Sequence, residues 1–121
     1  MEEKLKAFER LLNIMDELRE NCPWDRTQTF QTLRNLTIEE TYELAEVLLE
    51  EDLEGIKEEL GDIMLHMVFY AKIGEEKQAF DVADVLNTVS DKLIERHPHI
   101  YGNVEVNDEE DVKKNWEQIK L

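Results

Sequence analysis

The chain has 121 residues, with 14 lysines and arginines against 30 acids, for a formal charge of −16. That length suits one domain with one core, and that charge opposes direct binding to nucleic-acid backbones or anionic membrane surfaces. A hydrophobic content of 41% is ordinary for a globular chain, so the charge is no sign of disorder. Cys22 stands alone and cannot form an intrachain disulfide, the Met-Glu-Glu-Lys start lacks the apolar segment of a signal peptide, and no apolar run approaches the roughly 20 residues needed to span a bilayer. A cytoplasmic protein is expected.

In chain order, Glu2 to Glu20 is predicted to be a helix, because Leu5, Phe8, Leu12, Met15 and Leu18 recur every three or four positions. Nothing in it looks chemical, and it reads as a packing helix. Asn21 to Asn35 interrupts the pattern, and Pro23 ends the helix. Within it, Trp24-Asp25-Arg26-Thr27-Gln28-Thr29 is polar with one large aromatic. It reads either as a connector pinned by Trp24 or as a substrate loop at the mouth of an acidic site. Thr37 to about Glu50 is the second long helix. Thr37 with Glu40 three residues later fits a capping box, which gives Glu40 a structural alternative but leaves Glu43 unexplained.

Asp52 is expected to cap a third helix that runs to about Glu75. From Leu60 to Ile73 it is apolar almost all round, the mark of a buried helix. A bundle this small cannot cover such a helix alone, so a homodimer or a dimer of dimers is expected. Gly61 costs about 1 kcal/mol in a helix, so close approach of a backbone or a ligand is expected there. His66 reads as a satisfied core histidine or as a group supporting the nearby acids. Asp81 or Asp84 starts a fourth helix, to about His97, which packs through Val82, Val85, Leu86, Val89, Leu93 and Ile94. Lys92 and Arg96 share one side of it, with ordinary pairing to Asp91 or Glu95 as the plain alternative. His97-Pro98-His99 reads as a structured turn. A linker from Gly102 to Asp108 precedes a last helix, Asp108 to Lys120, with Val112, Trp116 and Ile119 facing inward.

The chemistry concentrates between Glu39 and Asp62, where eleven acids face one base, Lys57. Two acid pairs, Glu40 with Glu43 and Glu59 with Asp62, are spaced i, i+3, so each points one way from its helix with Cβ atoms roughly 5–6 Å apart. An acidic run is ordinarily a wet helix face. At ~100° per residue, however, Ile38, Tyr42, Ala45 and Leu49 form one apolar stripe. Glu40 lies opposite, with Leu44 and Val47 and with Glu43 at the edge, whereas Glu39, Glu46 and Glu50 fall on a wet strip. Glu59 and Asp62 share a face with Ile56, Ile63, His66, Tyr70 and Ile73. Carboxylates on apolar faces do not stay ionised without a partner. With few cations nearby and no sulfur ligand, a hard divalent ion, magnesium or manganese, is the economical partner. The expected fold is an all-α antiparallel bundle of four to five helices, whose second and third helices turn their acid pairs toward each other. Such a cage favours metal-assisted phosphoryl chemistry.

Glu39-Glu40-x-x-Glu43 followed by Glu59-x-x-Asp62 resembles the MazG-type nucleoside triphosphate pyrophosphohydrolases. Cys22-Pro23-Trp24-Asp25, Arg96-His97-Pro98-His99 and Asn115-Trp116-Glu117-Gln118-Ile119-Lys120 resemble them too, so the likeness runs from about Leu11 to Lys120. The resemblance implies the all-alpha NTP pyrophosphatase fold, one such domain over residues 1–121, and the reaction NTP + water → NMP + pyrophosphate in nucleotide-pool housekeeping. It implies Glu40, Glu43, Glu59 and Asp62 as metal ligands, and Glu39 as a group that orients or deprotonates the attacking water. It implies Lys92, Arg96 and Lys120 as phosphate-binding bases, Trp116 as a nucleotide-contacting aromatic, and the loop with Trp24 and Gln28 as lying near the nucleotide. Many members carry two such domains, and this chain resembles the first, of which one copy can be weak or structural. Three alternatives differ in what they predict. A phosphoribosyl-ATP pyrophosphohydrolase shares the scaffold and differs in substrate. A di-iron bundle wants Glu-x-x-His pairs, against Glu59-x-x-Asp62 here. A non-catalytic dimerisation module predicts no metal dependence.

Overall fold

Every regular element among the described residues is a helix. The computed structural model describes residues 1–103 and 108–120, with the side chains of Asn115, Trp116, Gln118, Ile119 and Lys120 outside that description. In order, the helices are α1 (Glu2–Asn21), α2 (Pro23–Thr27), α3 (Phe30–Leu49), α4 (Leu53–Glu76), α5 (Val82–Arg96), α6 (Pro98–Tyr101) and α7 (Glu109–Lys120). The all-α class expected from the sequence is borne out, with five long helices and two short ones among the described residues. No described helix is long and apolar enough to cross a membrane. The chain divides into two compact units, Met1–Val82 and Ala83–Leu121.

Two boundaries differ from expectation. The stretch from Asn21 to Asn35, expected to be irregular, holds α2 and the start of α3. Pro23 opens α2 at its first position, where its missing N–H costs nothing. The second long helix begins seven residues before Thr37. Its cap is Thr29, whose hydroxyl accepts from the Thr32 N–H at 3.2 Å while the Thr32 hydroxyl accepts from the Thr29 N–H at 2.8 Å. Threonine in place of Glu or Gln at the third helical position hid this reciprocal box from a reading tuned to the usual pattern. Asp52 caps α4 as expected, accepting from the Gly55 N–H at 3.1 Å. Much of the linker expected from Gly102 to Asp108 lies outside the described residues.

In the first unit α3 and α4 run antiparallel, as the pairs Phe30–Tyr70, Thr37–His66 and Glu40–Glu59 show. Gly55 makes their turn tight: a Cβ there would stand 2.9 Å from a Val47 methyl. α1 runs parallel to α4, with Asp16 bonded to Lys72 at 2.9 Å and Arg19 to Glu76 at 2.8 Å. The three helices close over Met15, Leu33, Val68, Phe69 and Ile73, with Phe8, Leu11, Leu12, Phe30, Leu65 and Tyr70 packed around them. All buried residues of the unit lie outside the stretch 34–67. The core therefore occupies the end of α3 and α4 marked by Leu33 and Ile73, and the acid pairs sit toward the other.

Candidate metal and nucleotide site

The register of α3 decides where its acids point. Because the helix starts at Phe30, Thr37 is interior and cannot cap, which removes the structural alternative for Glu40. The Ile38, Tyr42, Leu49 stripe is exposed, with Tyr42 at 70% and Leu49 at 83%, whereas Leu44 and Val47 are half-buried. The face that meets α4 is thus the one carrying Glu40, as the angular positions indicated.

Carboxylate oxygens of Glu40, Glu43 and Glu59 lie within 4.8 Å of one another, so each can offer one ligand atom to a single centre. Asp62, on exposed helix surface, stands outside this trio, yet its charge acts on Glu40. One carboxylate oxygen of Glu40 and one of Glu59 are buried without a hydrogen-bond partner. Burial, above all, pushes the Glu40 carboxyl up to about 7, and the neighbouring Glu59 carboxyl and the charges of Glu43 and Asp62 push the same way. Among the described residues no lysine or arginine pairs with any of the four. Such a cluster is a set of hard, acceptor-only oxygens short of positive charge. Glu39 is exposed, one position before Glu40.

A network that the sequence reading left open lies about one turn below. The Thr37 hydroxyl donates to the Leu33 carbonyl at 3.1 Å, stands 2.6 Å from His66 Nδ1 and bonds the Tyr70 hydroxyl. His66 is therefore a satisfied interhelical group, tying α3 to α4 beneath the carboxylates. Among the described residues nothing approaches Gly61, since an added Cβ would meet nothing within 4 Å. Of the close approach of a backbone or a ligand expected there, a described backbone of this chain supplies none.

The loop residues are held rather than loose. Trp24 is 54% exposed, so it does not serve as a core pin. Gln28 is buried at 8% exposure, and its amide donates to the Trp24 carbonyl at 2.9 Å and accepts from the Thr32 hydroxyl at 2.8 Å. In the second unit, Lys92 is exposed and Arg96 half-buried, four residues apart on α5. His97 and His99 meet as tilted rings with centroids 5.5 Å apart, His97 Nδ1 lies 2.6 Å from the Leu93 carbonyl, and the expected turn is the short helix α6, closed by the Tyr101 N–H donating to the His97 carbonyl at 3.2 Å. Trp116 and Lys120 belong to α7, and their side chains lie outside the described residues.

Residues 28–101 match the MazG nucleotide pyrophosphohydrolase domain. The chain belongs to this family. It is 45% identical over 122 residues to the nucleoside triphosphate pyrophosphohydrolase/pyrophosphatase MazG of Thermotoga maritima, covering 99% of this chain and 46% of that protein. It is 41% identical over 119 residues to the nucleoside triphosphate pyrophosphohydrolase of Escherichia coli (strain K12), covering 96% of this chain and 45% of that protein. The chain thus spans less than half the length of these curated relatives. The crystal structure of a MazG-related protein from Thermotoga maritima superimposes with a TM-score of 0.77 at 28% identity, over 93% of this chain and 97% of that one. Of the residues that the sequence singles out, Glu39, Glu40, Glu43, Glu59 and Asp62 lie on α3 and α4 in the first unit, and Lys92, Arg96, Trp116 and Lys120 lie on α5 and α7 in the second.

Proposed function

We propose that this MazG domain hydrolyses nucleoside triphosphates, including deoxynucleotides, to the monophosphate and pyrophosphate with magnesium or manganese, in nucleotide-pool housekeeping. The observation that carries the reading is the carboxylate trio on facing helices, with buried oxygens of Glu40 and Glu59 that lack partners. These donors fit a hard divalent cation: all are oxygens, none is sulfur, and burial first, then the neighbouring acids, make Glu40 hold its proton toward neutrality. Glu40, Glu43, Glu59 and Asp62 would hold the ion. Bound there, magnesium neutralises charge on phosphoryl oxygens and acidifies water. The chain supplies the rest. Glu39 orients the attacking water or takes its proton, Lys92, Arg96 and Lys120 hold phosphate oxygens, and Trp24 and Trp116 contact the nucleoside. Arginine suits this work as a fork and lysine as a point charge.

The names of the relatives support triphosphate hydrolysis, and the activity of this stretch by itself is part of the proposal. We also propose a homodimer or dimer of dimers, supported by the exposed Ile38, Tyr42, Leu49, Leu60, Met64 and Met67 on α3 and α4. A cytoplasmic setting is supported by the free Cys22 and the class of substrate. A panel of nucleotides assayed with magnesium tests the reaction. Pyrophosphate and monophosphate are the expected products, and only with the metal. Orthophosphate and diphosphate as first products would overturn the assignment. Light scattering at micromolar concentration tests the assembly, and a monomer would refute it.

A further inference from the structure

α1, read from sequence as a packing helix only, carries a residue with a second task. Arg19 Nε donates to both carboxylate oxygens of Glu76, at 3.1 and 2.8 Å, and Nη2 donates to Glu76 Oε1 at 2.8 Å. On its other side Nη1 donates to the backbone carbonyls of Asp25 at 2.7 Å, Gln28 at 2.9 Å and Arg26 at 3.2 Å. The guanidinium also lies 5.7 Å over the Phe69 ring, and the side chain is only 14% exposed. The carbonyls it takes lie at the end of α2, where a helix leaves its last carbonyls largely without helical partners; that of Asp25 also accepts from the Gln28 N–H at 3.4 Å. A helix that short does not hold itself in water. Gln28 fastens the start of the same loop by donating to the Trp24 carbonyl. The backbone from Trp24 to Gln28 is therefore tied to α1, α3 and α4, while the Trp24 indole stays open to solvent.

We propose that Arg19 is a positioning residue for the nucleotide: it fixes the α2 loop so that Trp24 meets the substrate already oriented, with Gln28 completing the clamp from within. This rests on Trp24 being a nucleotide contact, as set out under the proposed function. A loop ordered before binding loses little freedom on binding, so the clamp acts on affinity and leaves the carboxylate chemistry alone. Arginine is required because its planar fork reaches Glu76 and the loop carbonyls at once, whereas a lysine ammonium presents three donors from one point.

The test is steady-state NTP hydrolysis with magnesium by the wild type, Arg19→Lys, Trp24→Ala and the double variant. The same four proteins are titrated with a non-hydrolysable nucleoside triphosphate analogue, so the clamp is judged whether or not turnover is detected. Arg19→Lys is expected to raise KM and the analogue's Kd about 5- to 10-fold, the scale of one or two lost contacts, with kcat within about two-fold. The double variant is expected to bind no more weakly than Trp24→Ala, because Arg19 acts through that residue. Should Arg19→Lys fail to fold, Gln28→Leu, which removes the tie between the Trp24 carbonyl and α3 and leaves only the local Thr27 hydroxyl on that carbonyl, carries the same expectation. Unchanged KM and Kd in Arg19→Lys, a loss confined to kcat, or losses that multiply in the double variant would each overturn the clamp. Unchanged binding in Trp24→Ala would overturn the Trp24 contact and the clamp together, while pyrophosphate release by the wild type would leave the hydrolysis reading standing.

Discussion

At one end of the first unit, Met15 of α1, Leu33 of α3 and Val68, Phe69 and Ile73 of α4 are sealed from water. At the other end, α3 and α4 continue toward their turn, and nothing between residues 34 and 67 is fully buried. Ionisable groups follow this division. At the core end Glu76 has its cation, and the hydrogen bonds from Arg19 hold its carboxyl below the usual range. At the turn end Glu40 has only acids around it, and its carboxyl is raised. The sealed core and the carboxylate cluster thus occupy different lengths of the same helices. An end left half-covered keeps its carboxylates within reach of water, and of the proposed metal and substrate, at the cost of charge repulsion.

Substitutions at the two ends should therefore fail in different ways. Leu33→Ala is expected to cost about 2–5 kcal/mol in chemical denaturation, since it opens a cavity in a sealed core, without altering the KM of the molecules that remain folded. A cost below about 1 kcal/mol would mean the core end is not the stabilising one. Glu43→Gln and Asp62→Asn are each expected to lower kcat about 100-fold or more, the upper scale for losses around a metal site, while the melting temperature of the metal-free protein holds or rises. A parallel loss of fold would break the comparison.

Acidity separates the ends by sign. Glu40 titrates near 7 in the folded protein, above its ordinary value of 4.5. The folded state therefore binds more protons than the unfolded one between those values, and Glu40's contribution falls as pH rises from 4.5 through 7. Without metal, Glu40→Gln should be more stable than the wild type at pH 8, and the advantage should vanish by about pH 4.5. Glu76 has the opposite sign: its folded pKa is lowered, so its contribution is present above 4.5 and fades as acid protonates it. Glu76→Gln should lose stability at pH 7 and little below its folded pKa. Melting curves across pH check both, and like signs for the two variants would refute the division. Magnesium should raise the melting temperature of the wild type at pH 7.5 and of Glu43→Gln much less, because a ligand that binds only the folded state stabilises it by mass action. Equal shifts would reduce the metal effect to screening of the general negative charge.

The smallest effect concerns Gly61. Its Cβ would meet open space among the described residues, so Gly61→Ala should add up to about 1 kcal/mol through helix propensity. Added stability with a loss of dimer in light scattering would place the approach that this glycine serves between subunits. Added stability with the assembly intact would make the glycine dispensable.

The sequence by itself determined the helices that carry the acid pairs and the face that brings Glu40, Glu43 and Glu59 together, whereas Asp62 falls on exposed surface outside that trio. Periodicity is a property of a single helix, so Glu40 could be placed opposite Ile38 and Tyr42 without a partner in view. Asp52 was legible for the same reason, since a cap and its helix lie within three residues. The start of α3 was misplaced because a pattern of residue types offered Thr37 while the bonds that decide a cap lie between Thr29 and Thr32. Contacts between distant positions were decided only in three dimensions. No local pattern pairs Thr37 with His66 and Tyr70, or Arg19 with Glu76 fifty-seven residues on and with the carbonyls of a five-residue helix. The charge state of Glu40 belongs to the same class: desolvation and the nearness of Glu59 exist only once two antiparallel helices have met.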